Sequence, residues 1–398
     1  MKILFLTTDF PPHGGGVASL SLEQAVRLAQ LGNEVRVETV DFGPLPSICQ
    51  TTDNLTVHQN HIKAGPVKRL LPLWRIVRDS SKHFEPDVYY ASTHRGFGLP
   101  MAVHARTAGK PYSIYFHGTE ILTELTSLPR RKLLAWIIRH ANVLFSNSYN
   151  TRKLLQDFFP YRLPHVEVVY PGIDHSRFDD PGAKSRGKTL REKLLSEADL
   201  PADTVVLLSV SRLSRQKGID VTLKALAQLQ QYGGPLPHWL YVVAGSGPDE
   251  NEFRTMTQQL GLAGRVIFTG AIPYLETAPL YYAADIYVQP SQPHGMFLES
   301  FGISFVEAQY CGLPCIATRF GGIPESVKDG ETGILVPPGD INELVQALGT
   351  LIRDRERRSS MASRAREHAR AFSWDTHTRK LEQTLTDYCI PPRAGMQK

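Results

Sequence analysis

Residues 2–40 read KILFLTTDFPPHGGGVASLSLEQAVRLAQLGNEVRVETV. KILFLTT is an apolar run of strand length, and EVRVETV alternates apolar and polar residues as a half-buried strand does. Between them SLSLEQAVRLAQLG has helical periodicity and stops at Gly32, a residue type that ends helices readily. The glycines of HGGG stand where the first strand turns into the helix. This is a βαβ unit, and its two strands are expected to be parallel.

The theme recurs along the chain. DVYYAS, YSIYFHG, VLFSNS and VEVVYPG are further strand candidates, with RRKLLAWIIRHA among the helices between them. From Thr204 a second set begins. VVLLSVSRL, WLYVVAGSG, RVIFTGAI, IYVQPS, PCIATR and ILVPPG read as strands; IDVTLKALAQLQQ, NEFRTMTQQLG, LETAPLYYAA and FVEAQYCG read as helices. Strands alternating with helices of about ten residues predict parallel sheets covered by helices on both faces. Two sets in series predict an α/β chain of two doubly wound domains facing across a cleft. The first is expected over 1–178 and the second over 188–372. The Pro/Gly/charge-rich stretch 171–188, PGIDHSRFDDPGAKSRGK, would connect them. SWDTHTRKLEQTLTDYC supplies a last helix, 374–390, before the polar tail PPRAGMQK.

Bulk properties agree with a soluble globular protein. A chain of 398 residues exceeds the size of one hydrophobic core, and 42% hydrophobic with 21% charged residues is ordinary. The net charge of +5 gives no reason to expect a nucleic-acid partner. The four cysteines include no CxxC pair, and Cys311 and Cys315 in CGLPC read as small buried residues. MKILFLTTDFPP lacks a signal-peptide core, and no apolar run is long enough to span a bilayer, so a cytoplasmic location is expected.

Ligands of doubly wound sheets sit at the carboxyl ends of the strands. HGGGV, with Gly15 and Gly16, is there; it is either a tight turn or a place where backbone approaches an anion at a helix N-terminus. It is neither GxGxxG nor a Walker A loop. SRLSRQKG puts Arg212 and Lys217 at a strand end, where they suit a diphosphate or form a solvated turn; Arg215 is a weaker candidate. His117 in YFHGTE follows another strand, with His94 and His13 as lesser candidates. LESFGISFVEAQYCG, 298–312, carries Glu299 and Glu307. On one helix these acids would be about 80° out of alignment. Gly302 therefore predicts a helix starting at 302–303, with Glu299 in the loop before it and Glu307 in its second turn. The amides of Phe301, Gly302 and Ile303 would point at an anion between the acids. Glu307 could equally be a buried salt-bridge partner. With no DxD triplet and no ligand-spaced cluster, no metal is expected.

Taken together these motifs resemble the retaining glycosyltransferases of family 4, which have the GT-B fold. The resemblance covers nearly the whole chain. It rests on ESFGISFVE (the family's Glu-x7-Glu signature), the Arg-x4-Lys pair of RLSRQKG, GGV, VYPGID, AGSGP and GGIPESVKDGETGILVPPGD. It implies two Rossmann-like domains, with the C-terminal helix crossing back to the first. It also implies a nucleotide-diphosphate sugar as donor substrate and no cofactor. Glu299 then matches the acid that contacts donor-sugar hydroxyls, and Glu307 the one that binds ribose. Arg212 and Lys217 match the diphosphate pair, and Gly15 and Gly16 the glycines near the phosphate. His117 matches the histidine near the reacting carbon, and Phe301, Gly302 and Ile303 the amide-lending loop. The catalytic set is expected to be His117, Glu299, Arg212 and Lys217. HGGG has one glycine more than the family's usual pair, and SQPHGMFL before Glu299 is a variable segment placed to shape a sugar pocket.

The implied activity moves a hexosyl unit to a hydroxyl of a glycan, lipid or lipid-linked acceptor. Between Lys63 and Arg139 thirteen Lys/Arg face five acids, and VKRLLPLWRIVRDSSKHF and RRKLLAWIIRHA interleave them with apolar residues. Such segments either dock on a sheet or lie on an anionic membrane surface. Three other activities compete. A nucleotide-sugar epimerase shares the architecture but needs no acceptor. A glycoside hydrolase needs two acids flanking one bond. A glycan-binding module would have no use for Arg212 and Lys217.

Overall fold

The computed structural model describes residues 1–62, 70–159, 163–273 and 276–390. The chain forms two compact units, one of Met1–Gly172 with the residues from Trp374 onward, the other of Ile173–Ser373. The first unit is built on seven parallel strands: β1 (Lys2–Leu6), β2 (Glu34–Val40), β3 (Leu55–Asn60), β4 (Val88–Ala91), β5 (Tyr112–Phe116), β6 (Val143–Ser146) and β7 (His165–Val168). Their order in the sheet is β3-β2-β1-β4-β5-β6-β7. The second unit has six: β8 (Val205–Val210), β9 (Trp239–Ala244), β10 (Val266–Gly270), β11 (Ile286–Gln289), β12 (Cys315–Thr318) and β13 (Gly333–Val336), in the order β10-β9-β8-β11-β12-β13. Both units are α/β and Rossmann-like.

The inner strands of both sheets are buried on both faces, which is why they read as continuous apolar runs, whereas β2, β3 and β10 towards the edges are only partly buried. In β1, Ile3 and Phe5 pack into one cluster with Leu20, Leu28 and Tyr90, while Leu4 and Leu6 pack into the opposite one with Val77, Tyr89 and Phe116. The strand register, Ile3 beside Val35 and Val88, keeps this alternation in step across the sheet. The sequence pattern missed β3: LTVHQN is an edge strand in which only Leu55 is buried, so little apolar periodicity marks it.

Two expectations change. The segment 171–188 is not an open connection but mostly helix, His175–Asp179 followed by Pro181–Glu197. Asp174 caps the first through Ser176 N–H at 3.1 Å, and Asp180 caps the second through Gly182 N–H at 2.9 Å, with Pro181 at the first helical position. Helix Pro181–Glu197 packs against helix Ala278–Ala283. Gly187 permits this, since a Cβ there would lie 2.5 Å from Tyr282 Cβ. Residues 173–178, expected in the first domain, consequently belong to the second, where Phe178 is fully buried and its carbonyl accepts from the Tyr282 hydroxyl at 2.6 Å.

The C-terminal helix Trp374–Cys389 belongs to the first unit, with Trp374, Leu381, Leu385 and Cys389 in the cluster of Ile3 and Phe5. The basic amphipathic helices Leu70–Phe84 and Leu128–Arg139 also turn apolar faces to the sheet, through Leu73 and Val77 and through Leu134, Ile137 and Ile138. Lys63, Lys68 and Arg69 of the basic stretch, Leu275 of LETAPLYYAA, and the tail 391–398 lie outside the described residues.

His377 fastens the C-terminal helix. Its Nδ1 donates to the Tyr170 carbonyl at 2.7 Å, and its Nε2 therefore accepts from Gln24 Nε2 at 3.0 Å; Gln24 Oε1 takes the Tyr90 hydroxyl at 2.9 Å. Burial is the main cause that lowers its pKa, to about 4. The neutral ring is thus the folded form, and the unfolded chain binds the proton more readily between that value and the ordinary 6.5. Stability contributed by His377 is complete above the unfolded value, falls as pH drops through that window, and stops falling below the folded value. Thermal unfolding followed from pH 7.5 to 4.5 is expected to show this loss, and His377→Gln to flatten it.

Candidate active site

In the second sheet the strand order reverses between β8 and β11, the kind of place where doubly wound sheets bind ligands at their carboxyl edge. The β8 loop carries Arg212 and Lys217, and the β11 loop carries Glu299. There Lys217 Nζ meets Glu299 Oε2 at 2.6 Å. The same oxygen accepts from Ser291 Oγ at 3.1 Å and Gln289 Nε2 at 3.3 Å, and Lys217 Nζ lies 5.2 Å from the centre of the Phe297 ring. Glu299 is 9% exposed. Arg212 is exposed and its guanidinium has no hydrogen bond or ion pair among the described residues. Arg215 instead reaches away to Glu252 at 2.6 Å on the surface.

Glycines let these loops converge. Gly218 has φ 74°, and a Cβ there would fall 2.1 Å from the Pro290 carbonyl oxygen, so the β8 loop lies directly on the β11 loop. Gly245 and Gly247 of AGSGP approach the carbonyls of Ser211 and Leu213 as closely. Gly321 and Gly322 of GGIPES lie on the Glu299 and Ser300 carbonyls, and Gly322 N–H donates to Glu299 O at 2.8 Å.

Gly302, with φ 84° and ψ 70°, precedes helix Ile303–Tyr310, where the sequence places the start. The left-handed conformation costs a residue with a side chain about 1–2 kcal/mol, and a Cβ here would also strike the Phe305 ring. Phe301 is 2% exposed, a packing residue whose carbonyl accepts from Ser326 Oγ at 2.8 Å. Glu307, in the second turn, is only 4% exposed; Arg177 holds one oxygen at 3.3 Å and the Tyr281 hydroxyl the other at 2.9 Å. It has the salt-bridge geometry. Its partner Arg177 was hidden in the supposed connection, and Gln289 and Ser291 were missed because short polar side chains after a strand carry no periodic signal.

In the first sheet the reversal falls between β1 and β4. Gly15, at φ 122°, precedes helix Gly16–Gln30. The space around the positions of Cβ atoms at Gly14, Gly15 and Gly16 is open to 4 Å, so φ demands glycine at Gly15 alone. His117 ends β5. Its Nε2 lies 2.8 Å from the Ser92 carbonyl and must donate, so the tautomer this bond selects has Nδ1 as its acceptor. Its own N–H is taken by Glu120 and its carbonyl by Asn147 Nδ2 at 3.3 Å. His94 stacks on Phe116 and lies 3.6 Å from Glu124, while exposed His13 packs on Phe42.

Among the described residues no group of three or more His, Cys, Asp or Glu is placed to hold a metal ion. Cys311 and Cys315 are buried, and burial pushes both thiols up.

Comparison with known proteins now bears on this geometry. The family profile "Glycosyl transferases group 1" matches residues 191–368 and "Glycosyltransferase Family 4" matches 14–177. The GDP-mannose-dependent α-(1-6)-phosphatidylinositol monomannoside mannosyltransferase of Mycolicibacterium smegmatis is 30% identical over 96% of this chain and 98% of its own. The chain belongs to glycosyltransferase family 4. Within this family a second relative, the D-inositol 3-phosphate glycosyltransferase of Salinispora tropica, is 29% identical over 92% of this chain and 80% of its own. The structure of Anabaena HepE in complex with UDP and glucose matches with a TM-score of 0.78 and 26% identity, covering 97% of this chain and all of that one. The protein is thus a glycosyltransferase with the GT-B fold.

Gly218→Ala in this family 4 enzyme is expected to lose about 1–3 kcal/mol of stability, from left-handed strain plus the Pro290 contact. Urea unfolding measures it.

Proposed function

We propose that this glycosyltransferase moves a hexosyl unit, with retention, from a nucleotide-diphosphate sugar to a hydroxyl of a glycan or lipid acceptor, without a metal. The observation that carries the proposal is the Lys217–Glu299 contact at the reversal of the second sheet, with Arg212, unpaired among the described residues, on the loop of Lys217. A diphosphate brings charge that suits Lys217 and Arg212, one a compact ammonium and the other a planar fork. Glu299, fixed by Gln289 and Ser291, is oriented to accept from sugar hydroxyls. Glu307, oriented by Arg177 and Tyr281, is assigned the ribose. The first-turn amides at Gly302 and Ile303 add donors toward phosphate.

As the acceptor attacks, charge grows on the leaving phosphate oxygens. Donors already in place stabilise that state more than the ground state. In same-face attack the departing phosphate takes the acceptor proton, so neither glutamate acts as nucleophile. His117, with Nδ1 as acceptor, serves the transferred sugar. GDP-mannose, the donor in the name of the Mycolicibacterium smegmatis relative, and the UDP sugar of glucose, suggested by the UDP and glucose of the HepE complex, head the compounds to test.

A thermal-shift screen of nucleoside diphosphates and nucleotide-sugars is expected to show stabilisation by one base. With that donor, Lys217→Ala is expected to lower kcat about 10²- to 10³-fold, and Glu299→Gln to reduce transfer more than nucleoside diphosphate binding. Isomerised sugar from labelled donor without acceptor would instead show an epimerase.

The excess of basic residues over 63–139 supports association with an anionic membrane surface. Among the described residues no helix is long and apolar enough to cross a membrane. Sedimentation with phosphatidylglycerol vesicles at low salt is expected to carry the protein down, and 0.5 M salt, on the order of a fivefold shorter screening range than at 0.02 M, to release it.

A further inference from the structure

Four carboxylates are buried among the described residues: Glu38, Glu120, Glu299 and Glu307. Three of them meet a cation. Arg36 lies 2.9 Å from Glu38, Lys217 2.6 Å from Glu299 and Arg177 3.3 Å from Glu307. Glu120, only 5% exposed, has no Lys, Arg or His within ion-pair distance among the described residues. Glu124, the other acid of helix Thr119–Glu124, lines a cavity of about 710 Å³ in the first unit and has His94 beside it at 3.6 Å. Taking a carboxylate out of water without a counter-charge is costly, so stability alone would favour a neutral side chain at Glu120.

What Glu120 touches says where it acts. One of its oxygens accepts the backbone N–H of His117, and the other accepts from no described group. His117 is held at two further points, its Nε2 on the Ser92 carbonyl at 2.8 Å and its own carbonyl on Asn147 Nδ2 at 3.3 Å. Gly118, at φ 107°, makes the turn that brings Glu120 back to His117. Accepting one N–H needs only a neutral oxygen. The negative charge is surplus to that bond, and no described cation answers it.

We propose that Glu120 is a positioning residue of the transfer step: it fixes His117, and its unpaired charge favours the positive charge that grows on the transferred sugar. The assignment rests on the transferase reading above and on the place of His117 beside that sugar. As the bond from the anomeric carbon to the phosphate oxygen breaks, its electron pair leaves with the phosphate. The ring oxygen shares the resulting positive charge until the acceptor oxygen bonds to that carbon and the phosphate takes the acceptor proton. No proton passes to or from Glu120. A fixed charge in a water-poor site acts over several ångströms and is in place before the reaction starts.

The test uses the full-length protein saturated with GDP or UDP, whichever stabilises it. Isothermal titration then compares isofagomine, a hexose analogue with a protonated nitrogen at the anomeric position, with deoxyglucose, a neutral hexose lacking the same hydroxyl. The unaltered protein is expected to bind the cation at least about tenfold more tightly. Glu120→Gln keeps an oxygen for the His117 N–H and loses the charge. It is expected to lose that preference while binding the nucleoside diphosphate and deoxyglucose as before, and to lower kcat about tenfold or more at an unaltered donor KM. Equal affinity for the two sugars in the unaltered protein would overturn the proposal whatever the variant does. So would a preference undiminished in Glu120→Gln, or an equal loss of both sugars there. If no nucleoside diphosphate binds the unaltered protein, the transferase reading itself falls; if one binds and the preference is absent, only the role of Glu120 does.

Discussion

Four loops of the second unit must lie against one another at the place where its strand order reverses, and they can do so only where side chains are absent. Gly218 on the Pro290 carbonyl, Gly245 and Gly247 on Ser211 and Leu213, and Gly321 and Gly322 on Glu299 and Ser300 are contacts between backbones. Each glycine removes the Cβ that would hold a neighbouring loop off by an ångström or more. The ion pair between Lys217 and Glu299 follows from this packing, because its two residues belong to loops that the glycines press together. Without that approach Glu299 would lose its lysine, and Ser291 and Gln289 would have no fixed carboxylate to donate to.

The two glutamates of the 298–312 stretch are separated in role by their neighbours. Glu307 is enclosed by Arg177 and Tyr281, partners that come from helices and stay fixed with the core around them. Glu299 is met by a lysine on a four-carbon stem, a partner that can move to another anion without disturbing a strand or helix. Burying such a pair costs each charge part of its hydration, so it is weak evidence of a gain in stability. Its value lies in keeping a positive and a negative group side by side where a ligand bearing both phosphate and hydroxyls would need them. A pair of hydrolytic acids would instead need both carboxylates open to one bond, and Glu307 does not satisfy that.

Much of this was legible in the residues. Apolar runs such as KILFLTT and VVLLSVSRL announce strands buried on both faces, and turn glycines after them announce carboxyl-edge loops. The start of the helix after Gly302 could be read because only glycine adopts its conformation cheaply. Other features were hidden for physical reasons. β3 is an edge strand with few apolar positions, and helix Pro181–Glu197 is solvated on most sides, so neither has a periodic pattern. The support of Glu299 by Gln289 and Ser291 depends on side chains from one loop folding back on themselves, and no spacing rule encodes that. The cavity of the first unit gathers residues from helices and loops far apart in the chain, and only the sheet order brings them together.

The basic amphipathic helices show how two readings of one pattern can each hold for part of it. Leu73 and Val77, and Leu134, Ile137 and Ile138, are buried against the sheet, which is the ordinary use of an apolar stripe. A stripe used only for docking would leave no large apolar side chain at the helix start in water. Yet Leu70 and Leu71 remain 41% and 56% exposed, and Leu128 and Leu133, which flank Arg130, Arg131 and Lys132 in sequence, 70% and 42%. Burying an exposed leucine is worth roughly 1.5–3 kcal/mol, so several left together in solvent are a standing cost to the isolated chain. Association with an anionic membrane surface, as proposed, would cover them and give the neighbouring cations a counter-charge.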